Sequence, residues 1–570
     1  MHTFFSFRSG RVGPLAVPLG LCLALILSIT VGARAQTAAE IASAAGGRGR
    51  ILLVLPFDNR TGQPSLEWIR EAAPEILSRR LASAGFAPMS RADRMYALDH
   101  LGLPQGFHPS RASSLKLAET LDADSIIVGS YVTDGAGIVV EAQLVDVPHL
   151  RISEPVSARG EMHELIPVFG SLAWKLTRQL DPGFKVSEET FVAAGSGVRL
   201  DAFEQYIRGI TEPDQAERVH HLNSAVLFSP DFSRAWMALG REDYAGQQYE
   251  QAAAAFAKVG NNDAGDALEA GFFRGLSLLF SGDYPRAEEA FAGVARVLPL
   301  AEVLSNQGVA LARRGQDGTP LFRQAVAADP NGADYHFNLA VSLKRHGNAA
   351  EALTELAQCL RLRPNDGEAQ AVGKAWTKSD KPGVVKAPAA QPAASAEAPG
   401  GATGLDAAAG AKVDPLERIE RNFDAVAFHQ AALMLDQMEA SRLAALAPPE
   451  RAQKLSGQAK SYLDRGLLLE AERLYQFALA TDPKLAEAHA GLAEVRERTG
   501  DVQAARKEAV TSLELMPSID AYTVLIRLDI AAGHLDEARQ ETAQALKLDP
   551  KNEAALELQR KIETAEGQKK

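Results

Sequence analysis

Helix-ending prolines recur along this chain at one spacing. Pro330 and Pro364 stand 34 residues apart, Pro483 and Pro517 again 34, and Pro517 and Pro550 33. Pro230 and Pro299 are 69 apart, close to two such steps, with Gly265 near the midpoint. A proline disfavours helical geometry in the residue before it, so each of these marks the end of a helix. A stop that returns at this period leaves room for one helix-turn-helix per step. No pair of helices that short buries its apolar face alone, so every unit must stack on its neighbours.

Aligned on the prolines, the units share more than their ends. Leu339 and Ala340 fall in the first helix of one unit, and Ala352, Leu356 and Cys359 in its second. Trp236, Leu239, Gly240, Ala252 and Phe256 repeat that order, as do Gly275, Ala287, Phe291 and Pro299. The same holds for Leu492, Ala493, Ala505 and Pro517, and for Leu525, Ala538, Ala545 and Pro550. In LLLEAERLYQFALATDP, Ala471, Tyr475 and Ala478 share one helical face, where small residues admit a neighbouring helix and the ring fills the gap beside it. KLSGQAKSYLDRG, with Ala459 and Tyr462, supplies its partner helix.

This pattern resembles the tetratricopeptide repeat, over roughly Asp201 to Trp376 and Leu416 to the C-terminus. The resemblance implies an α-helical solenoid in two arrays, mainly α overall, with Lys551 to Gly567 capping the last repeat. One unit is about two residues short between Gly308 and Pro330, at RRGQDGTP, which predicts a tightened turn. First helices line the concave face in this family, so the resemblance also names groove positions. They are Arg241, Ser305, Asn306, Phe337, Asn338, Val341, Lys344 and Arg345 in the first array, and Ser456, Lys460, Glu494 and Arg527 in the second. Asn306 and Asn338 occupy one place in successive units, where an amide can hold a peptide backbone. The lysine-and-asparagine clamp that some members close on a C-terminal carboxylate is not reproduced.

Ahead of the arrays, ILLVLPF (Ile51 to Phe57) is a near-continuous apolar run suited to a buried strand. The following segments read as a β-α-β-α-β-β-β-α order, with a hairpin around Asp134-Gly135. LPFDNRTG, SIIVGSYV and VVEAQLVDV together resemble the TolB amino-terminal-like domain, a small α/β domain that carries no catalytic residues. The expected organisation is a signal peptide over 1–35, the α/β domain over 48–182, a first array over 200–376, a Pro/Ala/Gly-rich linker over 377–415, and a second array over 416–570. Leu416 to Leu446 is expected to be a long amphipathic helix, with Met434 and Met438 packing from its apolar face.

Arg8 and Arg11, the apolar run LAVPLGLCLALILSITVG and Ala33-Arg34-Ala35 follow the order of a secretory leader, with cleavage expected after Ala35. An uncleaved leader would instead anchor the chain in the inner membrane, the one route to a membrane tether. Either way the body is exported, to the periplasm or beyond. Net charge −12 argues against nucleic acid as a partner, because phosphate binding needs a basic stripe. Cys22 lies in the leader and Cys359 stands alone in the body, so there is no disulfide framework.

No GxxxxGK[ST], HExxH or GxSxG motif occurs, and no catalytic, cofactor or metal residues are assigned. Asp329 to Asp334 has a hint of a calcium loop but lacks the glutamate twelve positions on, so it reads as an inter-repeat turn. His220 and His221, being adjacent, point apart on a helix, and Asp58 to Gly62 reads as a strand-to-helix turn rather than an anion site. The sequence therefore points to a non-enzymatic protein-interaction scaffold of the bacterial cell envelope, with proteins or peptides as partners. The alternative is an envelope secretion or outer-membrane assembly component that oligomerises through its amino-terminal domain.

Overall fold

The computed structural model describes residues 50–104, 106, 110–193, 197–260, 264–379, 415–423 and 438–569. The leader, nearly all of the 377–415 linker and Met434 lie outside the described residues. The chain divides into two compact units, one of Met1–Leu200 with Leu433–Lys570, the other of Asp201–Ala432.

In the first unit the apolar run becomes β1 (Ile51–Val54), parallel to β3 (Ala87–Pro88) on one side and to β4 (Ser125–Asp134) on the other. β2 (Asp58–Asn59) continues along β4 after the chain bulges through Leu55 to Phe57. β4 turns through Gly135, at φ +62°, into β5 (Gly137–Asp146), in register from Ser125 opposite Asp146 to Asp134 opposite Gly137. β6 (Arg151–Ile152) and β7 (Val156–Glu161) pair antiparallel with β5. Leu53, Leu55, Ile126 and Val145 form a core with Ala97, Leu98, Leu117 and Ala118 of the helices Arg91–His100 and Arg111–Thr120. The Phe57 ring meets Phe169 edge-on at 5.7 Å and needs Gly129 beneath it, since a Cβ there would lie 2.3 Å from the ring. The Asp58–Gly62 turn is wired internally: Asn59 Oδ1 accepts from the Thr61 amide at 3.0 Å, and the Asn59 side-chain amide donates to Glu67 at 2.9 Å.

The second array belongs to this same unit. Its helices run Pro448–Asp464, Leu468–Thr481, Ala486–Thr499, Val502–Leu515, Ile519–Ala532, Leu535–Leu548 and Glu553–Lys569. Gly466, Gly500 and Gly533 close first helices at φ +77°, +88° and +79°, the left-handed cap only glycine takes freely. Asp482 and Asp549, each before a proline, are extended at φ −137° and −143°, which is why the repeat ends where the proline period says. The short helix Glu188–Ala193 packs on Leu468–Thr481 and Ala486–Thr499. There Glu472, fully buried, accepts from Thr190 and from the Ser187 main chain, and Arg473 donates to the Ser83 carbonyl at 2.7 Å.

The second unit stacks helix pairs Leu200–Thr211/Gln215–Phe228, Ser233–Ala245/Tyr249–Phe256, Ala264–Phe280/Tyr284–Ala295, Ala301–Arg313/Thr319–Ala328 and Ala333–Arg345/Ala349–Leu362, then Gly367–Ser379. Gly240, Gly275 and Gly308 each let an aromatic ring of the second helix approach: a Cβ would meet Phe256, Phe291 and Phe322 at 2.8, 2.7 and 2.8 Å. In the short unit the turn is drawn in until a Cβ on Gly318 would lie 2.6 Å from the Gly308 carbonyl oxygen.

The expected helix over Leu416 to Leu446 is overturned at its start, whereas residues 438–444 are helical as expected. Leu416 to Phe423 is not helical but an irregular, extended stretch lying against the first array, and it belongs to that array's unit. Residues 424–437 of the expected helix lie outside the described residues. Met438, expected to pack, is 67% exposed.

Candidate functional site

The first helices of the repeats in the first array hold a segment of the same chain, PLERIERNF, residues Pro415 to Phe423. Asn338 donates to the Arg418 carbonyl at 2.8 Å and accepts from the Arg418 amide at 2.6 Å. Asn306 repeats the pair one unit earlier, at 2.8 Å to the Glu420 carbonyl and 2.9 Å from the Glu420 amide. In an extended chain the N–H and C=O of one residue point the same way, and those of the next but one do so again about 6.6 Å along. Two asparagines on successive floor helices match that period. Their hold on the main chain is also why the segment cannot be a helix, since a helix would use the same groups internally.

The side chains are recognised separately. Arg418 lies over the Phe337 ring, 3.7 Å from its centroid, inside three carboxylates. Its guanidinium donates to Asp334 at 2.6 Å, to Asp366 at 2.7 and 2.8 Å, and to Glu368 at 2.9 and 3.1 Å. Hydrogen bonds from Arg418 hold Asp366 below the ordinary carboxylate range. Burial pushes Asp334 up, but bonds from Arg363 and Arg418 outweigh it and the net shift is downward. Glu417 is buried against Arg345, whose other nitrogen donates to the Pro415 carbonyl at 2.7 Å, while Arg313 donates to the Glu417 carbonyl at 3.1 Å. Phe423 packs 5.6 and 5.8 Å from Phe272 and Phe273, and Arg421 lies 4.8 Å over Phe280. Phe273 precedes Gly275 by two, as Asn306 precedes Gly308 and Asn338 precedes Ala340. The third floor position is therefore a ring, and the strand presents a ring to it.

The structure thus gathers Ser305, Asn306, Phe337, Asn338 and Arg345 at the segment; Ser305 Oγ accepts from Asn338 at 3.0 Å and fixes its amide. Val341 is buried in the array core and Lys344 lies 5.6 Å over the Trp376 ring. Arg241 pairs with Glu269 at 3.0 Å, away from the segment. In the second array Ser456 is buried, Lys460 is exposed, Glu494 pairs with Arg498, and Arg527 pairs with Glu497. In the sequence Asp334 reads only as part of an inter-repeat turn and the segment as the start of a helix, while Arg313, Asp366 and Glu368 carry no motif. Asp334 and Asp366 sit at or beside helix starts, where acids are ordinary, so nothing local set them apart.

Among the described residues no cluster of three or more histidines, cysteines or acids could hold a metal ion, and no helix is long and apolar enough to cross a membrane. Asp329 Oδ1 accepts from the Asn331 amide at 3.0 Å, closing the turn once compared with a calcium loop. His221 bonds Gln205 at 2.7 Å. Cys359 is fully buried in the repeat core, where burial pushes its thiol up to about 11.

Fold and groove together define a repeat solenoid that holds an extended peptide by its main chain. The family model for the tetratricopeptide repeat matches residues 274–318, 316–369 and 457–514, so both arrays carry that repeat. No curated protein matches the sequence. Among solved structures, YrrB, described as a TPR protein with an unusual peptide-binding site, is 17% identical over 30% of this chain and 92% of its own, at TM-score 0.28. The P58(IPK) TPR domain is 12% identical over 71% of this chain and 94% of its own, at TM-score 0.20. The C-terminal domain of LpoB from Salmonella enterica is 20% identical over 23% of this chain and 98% of its own, at TM-score 0.18.

Proposed function

We propose that this protein is an exported, non-enzymatic interaction scaffold of the bacterial cell envelope, and that the first repeat array is its receptor for extended peptides. The observation that carries this is the paired hydrogen bonding of Asn306 and Asn338 to main-chain groups two residues apart. Such pairs satisfy any extended backbone, and selectivity then falls to Phe337, the acids around it and the ring floor at Phe273. The leader-like order of Arg8, Arg11, the apolar run and Ala33-Arg34-Ala35 supports export. The amino-terminal α/β region, with its β-β-α-β-α-α-β-β-β-β-α order, is read as a TolB amino-terminal-like docking domain.

The test is crosslinking in the native envelope followed by mass spectrometry, on the wild type and on Asn306→Ala/Asn338→Ala. Partners joined near residues 337–345 in the wild type should disappear from the double variant. An identical set from both chains refutes groove recognition. The mature amino-terminus is read in the same sample, with Gln36 expected first.

A further inference from the structure

We propose that residues 415–423 are an internal competitor, and that the groove's true ligand is a partner protein's extended segment with the pattern Arg-x-x-x-x-Phe. This rests on the reading of the groove as a peptide receptor and adds who occupies it and what must be displaced.

The pattern is written by the pockets. Arg418 fills a box of Phe337, Asp334, Asp366 and Glu368 that no neutral residue would satisfy, because three carboxylates would then repel one another with only Arg363 between them. Phe423 fills the ring floor. The residue before the arginine meets Arg345.

The internal copy also fits imperfectly, in two places. The Glu420 side chain faces Asp334 and Glu302 as well as Arg363 and Arg418, and burial with that company raises its carboxyl to about 7. Glu417 Oε2 is buried with no hydrogen-bond partner among the described residues. A constitutive structural strand would gain by replacing both; a displaceable one needs such flaws. Docking in cis is helped by tethering, which supplies an effective concentration on the order of mM for a Pro/Ala/Gly-rich connection such as 380–414. A free segment that avoids the acid at the Glu420 position needs a correspondingly lower concentration to overcome that advantage.

The experiment uses the full chain as wild type, as Arg418→Ala/Phe423→Ala, and with residues 415–423 replaced by Gly-Ser of equal length. The probe is a fluorescent peptide of residues 413–424 carrying Glu420→Gln, followed by anisotropy. Circular dichroism checks that helical content is kept; the replaced residues lie outside the repeats, so the two altered chains control for each other. Both are expected to bind the probe at least about 30-fold more tightly than wild type. Adding Asn306→Ala/Asn338→Ala should abolish that binding, and a probe with alanine at its arginine or phenylalanine should lose at least about tenfold. Equal binding to wild type and altered chains removes the competitor while leaving a peptide receptor. Binding indifferent to the probe's arginine and phenylalanine removes the pattern. No binding to any chain up to mM removes the receptor reading itself. A wild-type dimer in light scattering that disappears when the segment is disabled would make the occupant a second copy of this chain and overturn the proposal.

Discussion

Asn338→Ala tests whether the docked strand behaves as one cooperative unit. The change removes both hydrogen bonds to Arg418's main chain and the contact with Ser305, at a fully buried position. Each bond contributes about 1 kcal/mol net, and the main-chain groups left behind on the strand are not easily rewetted in the groove, so the loss is about 2–3 kcal/mol. The reporter is not Arg418, whose amide loses its own partner, but the Glu420 amide, bonded to the untouched Asn306. If docking is all-or-none, its hydrogen exchange should accelerate about 30- to 150-fold. Single-amide exchange, resolved by gas-phase fragmentation, reads this directly. A Glu420 amide exchanging at the wild-type rate would refute the cooperative strand and reduce the groove to independent local contacts.

Docking should weaken as pH rises. Glu420 is raised by burial and Asp334, so the docked state keeps a proton between about 4.5 and about 7 that the free strand has lost. An unscreened shift of that size is worth about 3 kcal/mol, cut to about 1 at a half-buried group, so docking should be about fivefold weaker at pH 8 than at pH 5, and flat over that range in Glu420→Gln. Below pH 4 the sign reverses, because Asp366 and Asp334 are held low and lose their stabilisation as they protonate; exchange at the Glu420 amide against pH checks both limbs. Gly308→Ala sets a Cβ 2.8 Å from the Phe322 ring and should cost about 1–3 kcal/mol in denaturant unfolding, whereas Gly457→Ala, with nothing within 4 Å, should be neutral or stabilising. Cys359 should resist a thiol reagent at pH 8 until the first array unfolds, so its labelling in denaturant should track that array's helix signal; prompt labelling in the native state would contradict its burial.

What the sequence makes legible here is what repeats. A proline that forces the preceding residue to be extended leaves the same mark at Asp329, Asp482 and Asp549, so the repeat period could be read from spacing, although the unit around Gly265 lacks that mark. The amide positions Asn306 and Asn338 were legible for the same reason. The strand over 415–423 was not. Its apolar residues also suit a helical period, and only the competing amides, some 80 and 114 residues away, decide that its backbone stays extended. The docking of Glu188–Ala193 on the second array leaves no local trace either: the Thr190–Thr499 contact, 3.2 Å between hydroxyl oxygens, spans 309 residues. Glu472 is fully buried, and nothing local marks it, because burial of a lone carboxylate is decided by whatever packs over it.

The strand runs against the order of the repeats, from Ala333–Arg345 through Ala301–Arg313 to Ala264–Phe280. A solenoid is mechanically a spring, since each coil feels only its neighbours and the curvature of the whole is a sum of small, soft angles. A ribbon laid across its first helices and pinned to three consecutive coils is a tie rod: it fixes the distance between the first and third and removes that bending freedom. Cutting the tie therefore does two things at once, baring the floor and letting the coils relax to their own pitch. The two arrays, so similar in their repeats, are in this sense different materials. One is held at a set curvature from within, and the other is braced by the sheet domain that leans on its helices.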